Sequence, residues 1–230
     1  SPPIRARKAA KPVKRVTIRH KTPMYIPSPT LYRRPDSFAV AGSTPRARPP
    51  HNVQDRTAFV IQTIADALAQ QGYETLTAVQ EAVTDPALND QDLLVSAQTG
   101  SGKTVGFGLA IAPTLLGEDT HFGQAGAPLA LIIAPTRELA MQVSRELTWL
   151  YGKAGAVVTT CVGGMDTRTE RRALDRGAHI VVATPGRLCD HIKRNNIDLD
   201  SLRAVVLDEA DEMLDLGFRE DLEFILSESP

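Results

Sequence analysis

The sequence predicts an α/β fold, in which a parallel sheet carries helices on both faces. Short apolar runs alternate with longer amphipathic segments, and the runs are unbroken stretches of Val, Ile, Leu and Ala. Strands buried on both faces have this composition, because helices cover both sides of a parallel sheet. The strand candidates are 92–97, 129–134, 157–162, 180–183 and 204–207.

The helices are predicted from apolar residues at helical spacing. A first helix begins near residue 61, and Gly72 ends it in the manner of a C-cap. The clearest helix covers 136–150, where one stripe is formed by Leu139, Val143, Leu147 and Leu150. Residues 165–176 mix arginines with acids, which predicts a solvated helix face. His179 and His191 have no partners at metal-ligand spacing and are interpreted as structural.

The charges divide the chain in two. Residues 1–58 hold 13 Lys and Arg, two acids and 10 of the 16 prolines, whereas 59–230 hold 13 Lys and Arg against 25 acids. The formal net charge of -1 is therefore a +11 segment cancelling a -12 one. Since proline interrupts regular structure and like charges repel, 1–58 is predicted to be a disordered basic extension and 59–230 the folded domain. Such an extension can also hold nucleic acid by phosphate attraction, and the two interpretations are compatible.

Composition excludes several classes of protein. Cys161 and Cys189 cannot form a disulfide scaffold and lie in no metal-binding spacing, which favours buried, reduced thiols. No run approaches the ~20 apolar residues that span a bilayer, so no membrane partner is expected. Prolines in the Arg-rich N-terminus would interrupt the amphipathic helix of a transit peptide. We therefore expect a cytoplasmic protein.

One strand candidate ends in a glycine-rich loop that leads into a helix. Gly100 and Gly102 allow successive backbone N–H groups to point at an anion at the helix N-terminus. Lys103 supplies a cation for the β- and γ-phosphates of a nucleotide, and the Thr104 hydroxyl can ligate Mg²⁺. The usual pattern begins with Gly, whereas this one begins with Ala97. The predicted nucleotide-binding residues of this loop are Ala97, Gln98, Thr99, Gly100, Ser101, Gly102, Lys103 and Thr104.

A second strand candidate, 204–207, ends in acids. Asp208 follows the strand directly, as a second anchor for a phosphate-bound Mg²⁺ requires. Glu209 can polarise the attacking water, because phosphoryl transfer depends mainly on positioning and charge stabilisation. We therefore predict Lys103, Asp208 and Glu209 as catalytic residues, with Thr104 and Asp208 at the metal.

These two segments together resemble the first RecA-like domain of a DEAD-box RNA helicase, whose tetrad matches Asp208-Glu209-Ala210-Asp211. Three further segments agree in order and spacing. Pro135-Thr136-Arg137 matches the family's motif Ia, Gly163-Gly164 its glycine doublet, and Thr184-Pro185-Gly186-Arg187 its motif Ib. The resemblance covers about 59–230 and implies a RecA-like P-loop NTPase fold with ATP and Mg²⁺ as cofactors and RNA as partner.

The three further segments each follow a strand candidate, so we expect them on the same edge of the sheet as the nucleotide loop. Thr136 and Arg137 offer a hydroxyl and a cation, and Arg187 can pair with a phosphate or with a carboxylate. No group is arranged to read base edges, which predicts contacts with the RNA backbone and little sequence specificity. The predicted RNA-binding residues are Pro135, Thr136, Arg137, Gly163, Gly164, Thr184, Pro185, Gly186 and Arg187.

Residues 72–80 resemble the family's Q motif, whose glutamine reads adenine. A carboxamide has a donor and an acceptor that match adenine N6 and N7. The resemblance assigns Tyr73, Gln80 and Asp211 to the nucleotide site. The pattern departs from the family at Leu76, where proline is usual.

The resemblance implies an ATP-dependent RNA helicase of which 59–230 is an incomplete first lobe. The family continues with a Ser-Ala-Thr motif and a second RecA-like domain that bears an arginine finger, a group that can contribute ~10³–10⁵ in rate. The second domain is thus an expected partner, and the 230-residue chain alone is predicted to be poorly active. Two alternatives stay open, a truncated non-catalytic nucleic-acid-binding fragment and a P-loop ATPase acting on DNA.

Overall fold

The computed structural model describes residues 13–19, 38–41, 60–89, 91–97 and 100–230. Their strands form one seven-stranded sheet in the order β2-β3-β1-β7-β4-β6-β5, with every neighbouring pair parallel. The strands are β1 Lys14–Arg19, β2 Phe38–Ala41, β3 Asp92–Ser96, β4 Ala130–Ile133, β5 Val158–Cys161, β6 Ile180–Ala183 and β7 Ala204–Leu207. The predicted parallel α/β fold is confirmed, and each of the five strand candidates is a strand.

Eight α-helices lie in the described part of the chain. They are α1 Gln62–Gln70, α2 Ala78–Val83, α3 Lys103–Leu116, α4 Arg137–Leu150, α5 Thr167–Asp175, α6 Pro185–Lys193, α7 Ala210–Asp215 and α8 Arg219–Glu228. Gly72 follows α1 in a left-handed conformation, as its predicted role at the helix end requires. No helix in these ranges is both long enough and apolar enough to cross a membrane.

Alternate residues of the central strands point to opposite faces of the sheet, and each face has its own core. Ile132 and Val206 lie in one core together with Phe107 of α3 and Leu147 of α4. The neighbouring strand residues, such as Ile133, lie in the other core, to which α6 and α8 contribute. Because both faces are covered, these strands tolerate apolar side chains at every position, which explains their unbroken apolar runs.

Two strands of the sheet come from the segment that was predicted to be a disordered extension. β1 lies between β3 and β7, and β2 pairs with the other side of β3. Val16 and Ile18 are fully buried in the core, and Lys14 is buried with hydrogen bonds to backbone carbonyls. For these two stretches the prediction is wrong, because a neighbouring strand on each side satisfies the backbone of β1 despite its flanking charges. The other residues of 1–58 lie outside the described part of the chain.

A glycine allows α3 and α4 to approach closely. A Cβ atom on Gly108 would lie 2.6 Å from Leu150 Cδ2 and 3.2 Å from Leu147 Cδ2, both on α4. The Tyr151 hydroxyl donates a 2.6 Å hydrogen bond to the Gly108 carbonyl at the same contact. The absence of a side chain at Gly108 therefore sets the distance between the two helices.

We expect Gly108→Ala to lower the free energy of unfolding by about 1–3 kcal/mol, because the added methyl overpacks this contact. Gly106→Ala is the matched control on the same helix, since its Cβ would meet nothing nearer than Gln80 Cγ at 3.8 Å. The control should be neutral or stabilising by up to about 1 kcal/mol, from helix propensity. Urea denaturation of both variants measures the difference, and equal stabilities would contradict the close approach.

Candidate functional site

Apart from Tyr73 and Gln80, which lie after α1 and in α2, the predicted site residues follow strands that end at the same edge of the sheet. Cross-strand partners align Ser96 with Arg19, and Ile133 with both Ala183 and Leu207. Cys161, the last residue of β5, is likewise opposite Ala183. The segments that begin after these residues therefore emerge side by side, as the parallel arrangement predicted.

The glycine-rich loop has the backbone that an anion site needs. Gly100 and Gly102 have φ angles of +78° and +77°, a left-handed region that suits glycine. Gly102 caps α3 and its carbonyl accepts the first helical hydrogen bond, from Gly106 N–H at 2.9 Å. Lys103 is the first residue of α3, so the loop ends at a helix N-terminus. Ala97 is half-buried after β3, and Gln98 and Thr99 lie outside the described residues.

The lysine of the loop pairs with the glutamate of the acidic strand end. Lys103 Nζ lies 3.6 Å from Glu209 Oε1, with side-chain exposures of 10% and 15%. Asp208 and Thr104 are both buried, at 3% and 8% exposure. Asp208 N–H donates to the Ile133 carbonyl at 2.9 Å, which continues the sheet pairing past β7 and fixes the start of the acidic segment. The three predicted catalytic residues therefore lie on one edge, with Lys103 and Glu209 in direct contact.

Glu209 has a backbone conformation that a residue with a side chain rarely adopts. Its φ is 53° and its ψ is 49°. Among the described residues other than glycine, Asn195 is the other one with a positive φ. Asparagine tolerates this region well, whereas for glutamate it costs on the order of 1 kcal/mol or more. The strain turns the chain sharply from β7 into α7, so that Glu209 faces Lys103. Nothing in the spacing of the sequence indicated this turn.

Residues 77–80 bind the glycine-rich loop from the side. The Gln80 side-chain amide donates to the Gly102 carbonyl at 3.2 Å, and the Thr77 hydroxyl donates to the Ser101 carbonyl at 2.9 Å. Gln80 is fully buried, and its side-chain oxygen accepts from Thr77 N–H at 3.0 Å, which completes a capping box for α2. Sequence reasoning assigned Gln80 to adenine and missed this contact with the loop.

The remaining residues assigned to the nucleotide lie near this region. The Tyr73 ring is stacked on the Trp149 ring of α4 at a centroid distance of 5.8 Å. Burial and the charge of Glu146 raise the pKa of the Tyr73 hydroxyl. Asp211 is half-buried in the first turn of α7. Contact of Tyr73, Gln80 or Asp211 with a nucleotide stays a prediction.

Arg137 and the glycine doublet form one exposed surface. Arg137 Nη1 lies 2.8 Å from the position that a Cβ on Gly164 would take, and its Nη2 contacts Met165 Sδ at 3.4 Å. Gly163 is exposed beside them, whereas Pro135 is buried. Thr136 accepts from Leu139 N–H and caps α4, which directs the next residue, Arg137, outward. We call Arg137, Gly163 and Gly164 the arginine–glycine surface.

Arg187 is held by a buried carboxylate. Its Nη1 donates to Glu170 Oε2 at 2.9 Å, to the Met165 carbonyl at 3.0 Å and to Thr167 Oγ1 at 3.1 Å. The sequence predicted that Arg187 pairs with either a phosphate or a carboxylate, and in this structure it pairs with the carboxylate of Glu170. Thr184 is half-buried at the start of α6, Pro185 is buried and Gly186 is exposed.

Glu170 is the centre of a buried hydrogen-bond network. It accepts from Val162 N–H at 2.8 Å, from His191 Nε2 at 2.8 Å and from Arg187. Burial raises the pKa of this carboxyl, but the hydrogen bonds from His191, Val162 and Arg187 outweigh burial and hold the pKa below its ordinary value. The prediction of a solvated face for 165–176 is therefore wrong at Glu170, whereas the structural interpretation of His191 agrees with this network.

The two cysteines are buried and reduced, as predicted. Burial raises the pKa of the Cys161 thiol to about 12 and that of Cys189 to about 11. One ligand atom from each of Cys161, Glu170 and His191 lies within 4.8 Å of the others, a spacing that would suit a metal. Glu170 Oε2 already accepts from His191 and Arg187, so the hydrogen-bond network itself accounts for this close spacing.

Comparison with known proteins decides the family. A sequence model of the DEAD/DEAH box helicase domain matches residues 77–230. The chain belongs to the DEAD/DEAH box helicase family. Within this family it is 43% identical over 169 residues to DEAD-box ATP-dependent RNA helicase CshA of Geobacillus kaustophilus, and 42% identical over 168 residues to DEAD-box ATP-dependent RNA helicase 53 of Oryza sativa. The aligned part is 74% and 73% of this chain, but only 35% and 27% of those helicases.

A solved structure of the same family has a similar fold. The crystal structure of a DEAD box protein from Methanococcus jannaschii is 37% identical and superposes with a TM-score of 0.66. The match covers 74% of this chain and 45% of that one. The RecA-like fold of the DEAD-box helicase chain is thus confirmed, and the chain spans about a third or less of the two curated relatives named above.

The buried network of this DEAD-box domain provides a test of stability. We expect Glu170→Ala to lower the free energy of unfolding by about 3–5 kcal/mol, because it leaves the buried His191 and the half-buried Arg187 without their carboxylate. Glu170→Gln is the matched control; it keeps an acceptor for Val162 N–H and should cost less, about 1–3 kcal/mol. Urea denaturation at pH 7 measures both values.

The sign of the pKa shift of Glu170 determines how the stability difference between the parent and Glu170→Gln depends on pH. The folded-state pKa of Glu170 lies below the ordinary value of 4.5, so its stabilising effect is present above pH 4.5 and is lost as the pH falls through the folded-state pKa. The difference in unfolding free energy between the parent and Glu170→Gln should therefore shrink on acidification. A difference that stays constant from about pH 7 to pH 3 would contradict the assignment.

Proposed function

We propose that this chain is the first, ATP-binding lobe of an ATP-dependent RNA helicase. The contact that carries the proposal is the ion pair between Lys103 of the glycine-rich loop and Glu209 of the acidic strand end. It joins the two groups that ATP hydrolysis needs on either side of the γ-phosphate, a cation for the phosphate and a carboxylate base for the water.

ATP phosphates would bind to the N–H groups of the loop at the start of α3. Gly100 and Gly102 provide the left-handed backbone there, and the helix N-terminus adds its partial positive charge. Lys103 then exchanges Glu209 for the β- and γ-phosphates. Binding of the substrate thereby removes the cation from Glu209, whose carboxylate can orient the attacking water and accept its proton.

The residues near this loop fit a magnesium ion. Thr104 and Asp208 are buried oxygen donors at the ends of the two elements that flank the phosphate site, and hard cations prefer such ligands. Bound Mg²⁺ would neutralise part of the charge on the phosphates. In this proposal Thr104 and Asp208 hold the ion, and Asp208 is kept in place by its backbone hydrogen bond to Ile133.

We propose that Gln80 recognises adenine, a contact for which its side chain, fully buried in this structure, must become accessible. A carboxamide has two N–H groups and an oxygen that can accept twice. One N–H is bound to Gly102 and the oxygen accepts from Thr77. In the proposal, the second N–H of the amide and the second acceptor position of its oxygen bind the base. The same side chain then binds both the base and the glycine-rich loop. Tyr73 and Asp211 are proposed as further nucleotide contacts.

The RNA backbone is proposed to bind along the arginine–glycine surface, with Thr136, Thr184 and Gly186 beside it. Arg137 offers an exposed cation, and the two glycines offer backbone N–H groups at close approach. Arg187 is better suited to hold Glu170 and α5 in place, since its Nη1 is already bound. The DEAD-box relatives are named as RNA helicases, and this favours RNA over DNA as the ligand.

Local unwinding of RNA duplexes is proposed for this lobe together with a second RecA-like lobe, because the relatives extend well beyond the aligned part. The 230 residues alone should bind ATP weakly and hydrolyse it slowly. A cytoplasmic location stays a prediction.

The ATP site is tested by two substitutions and a control. Lys103→Ala should weaken binding of a fluorescent ATP analogue with Mg²⁺ by ~10–100-fold, as the loss of a charged hydrogen bond predicts. Glu209→Gln should preserve or tighten binding, because Lys103 no longer has a competing carboxylate, yet abolish RNA-stimulated hydrolysis in a two-lobe protein. Lys153→Ala, an exposed lysine in a separate turn, is the matched control and should change neither. Unchanged ATP affinity in Lys103→Ala would contradict the proposal.

The RNA surface is tested by Arg137→Ala. We expect weaker binding of single-stranded RNA and a salt dependence of log K whose slope is less steep by about 0.7, as one lost phosphate contact predicts. Arg171→Ala makes the same change in net charge at a 64% exposed residue of α5 and should have no such effect. Competition with a DNA of the same sequence distinguishes RNA from DNA. Equal salt slopes for the two variants would exclude Arg137 as a phosphate contact.

A further inference from the structure

The outer face of α5 carries a row of arginines. Arg168, Arg172 and Arg176 are four residues apart, so they lie on successive turns of one face of the helix. All three are exposed, whereas Glu170 lies on the opposite face and is buried. We call Arg168, Arg172 and Arg176 the α5 stripe. It is a row of cations that points away from the core of the domain.

The carboxylates of the same helix are bound to other groups. Asp166 accepts hydrogen bonds from two backbone N–H groups and caps α5. Glu170 belongs to the buried network described above, and Asp175 pairs with Arg171 at 3.9 Å. Within the part of the chain that the structure describes, no carboxylate forms an ion pair with the α5 stripe. Its guanidinium groups therefore differ from that of Arg187, which Glu170 holds.

The α5 stripe is held at a fixed position relative to the arginine–glycine surface. Two residues separate Gly164 from the first residue of α5. Glu170 accepts from Val162 N–H at 2.8 Å, just before the glycine doublet. Arg187 donates to the Met165 carbonyl and to the Thr167 hydroxyl, just after the doublet. Because the helix is tied down on both sides of the doublet, a ligand that spans both surfaces has little ordering of the protein to overcome.

The order of the strands places α5 where a bound RNA would leave the lobe. β5 is the last strand of the sheet, and the glycine doublet follows it. An RNA strand that follows the edge of the sheet therefore passes α5 next. The α5 stripe covers eight residues of helix, or ~12 Å along the axis. Stacked nucleotides rise ~3.4 Å each, so this length corresponds to roughly four of them.

We propose that the α5 stripe binds backbone phosphates of the RNA strand that continues past the arginine–glycine surface. This inference rests on the proposed RNA surface and extends it by one helix. Guanidinium groups match phosphate in charge and in hydrogen-bond geometry, and contacts of this kind carry no sequence information. Residues 59–230 hold 13 Lys and Arg against 25 acids, yet four of the 13 cations lie within 168–176. The stripe thus concentrates positive charge in an acidic domain at the point where the strand would leave.

The test compares two neighbouring arginines of the same helix. Arg172→Ala removes the middle cation of the α5 stripe, and Arg171→Ala is the matched control. Both substitutions change the net charge equally and place a strong helix former on the exposed side of α5. Arg168→Ala combined with Arg172→Ala is a second test, which removes two of the three cations.

Binding of fluorescent oligouridylates to the full chain is measured by anisotropy over a range of salt concentrations. The short RNA is the shortest one whose affinity falls in Arg137→Ala. Two further RNAs extend it by roughly four nucleotides, at the 5′ or at the 3′ end. The basic segment 1–58 is present in every variant, so its contribution cancels in the comparison.

We expect one of the two extensions to tighten binding to the parent chain. On that RNA, Arg172→Ala should weaken binding by ~3–10-fold, as one lost charged hydrogen bond predicts. The slope of log K against log salt should be less steep by about 0.7 in Arg172→Ala and by about 1.4 in the double variant. Arg171→Ala should keep the full gain from the extension.

Equal losses in Arg171→Ala and Arg172→Ala would overturn the inference, because they would reflect net charge alone. A loss in Arg172→Ala that is as large on the short RNA as on the extended ones would overturn it too. If Arg137→Ala behaves like the parent on every RNA, the proposed arginine–glycine surface is wrong. The comparison of Arg172→Ala with Arg171→Ala on the longer RNAs then still decides whether the α5 stripe binds RNA.

Discussion

Parallel pairing is the constraint on which the rest of this structure depends. Because all neighbouring strands run in the same direction, every segment that follows a strand emerges at one edge of the sheet. The glycine-rich loop, the acidic tetrad, the arginine–glycine surface and the start of α6 come from distant parts of the sequence, and the sheet alone brings them together. The sheet thereby gathers Lys103, Arg137 and Arg187 of an acidic domain along a single edge.

At that edge lies the ion pair that, in the proposed function, a phosphate replaces. Lys103 has Glu209 as its partner in this structure, and a phosphate is the stronger competitor for the same ammonium. Because the two side chains are paired, neither is buried as an isolated charge, which would be costly. The strained, left-handed backbone of Glu209 belongs to the same arrangement, because this conformation places its carboxylate opposite Lys103.

The sequence allowed the central fold and the motif residues to be predicted, because unbroken apolar strands and glycine-rich loops have distinctive compositions. It did not reveal β1. That strand has only two fully buried apolar side chains, Val16 and Ile18, and cations on both sides of them, so the pattern is too short to stand out against a basic, proline-rich segment. Glu170 was missed for a related reason. Its neighbours in sequence are arginines and other polar residues, and only the fold brings His191 and Arg187 to it.

The position of β1 also sets the order in which the sheet can form. The strand precedes both of its neighbours in the chain: Arg15 and its partner Asp92 are 77 residues apart, and β7 begins only at residue 204. During synthesis from the N-terminus this segment leaves the ribosome long before either strand that pairs with it. Until its partner strands are synthesised, the polar and charged residues around β1 favour solubility, whereas an unpaired strand with apolar neighbours would be prone to aggregation. The basic character that makes β1 hard to recognise in the sequence is thus compatible with its place in the interior of the sheet, where contacts of long sequence separation form last.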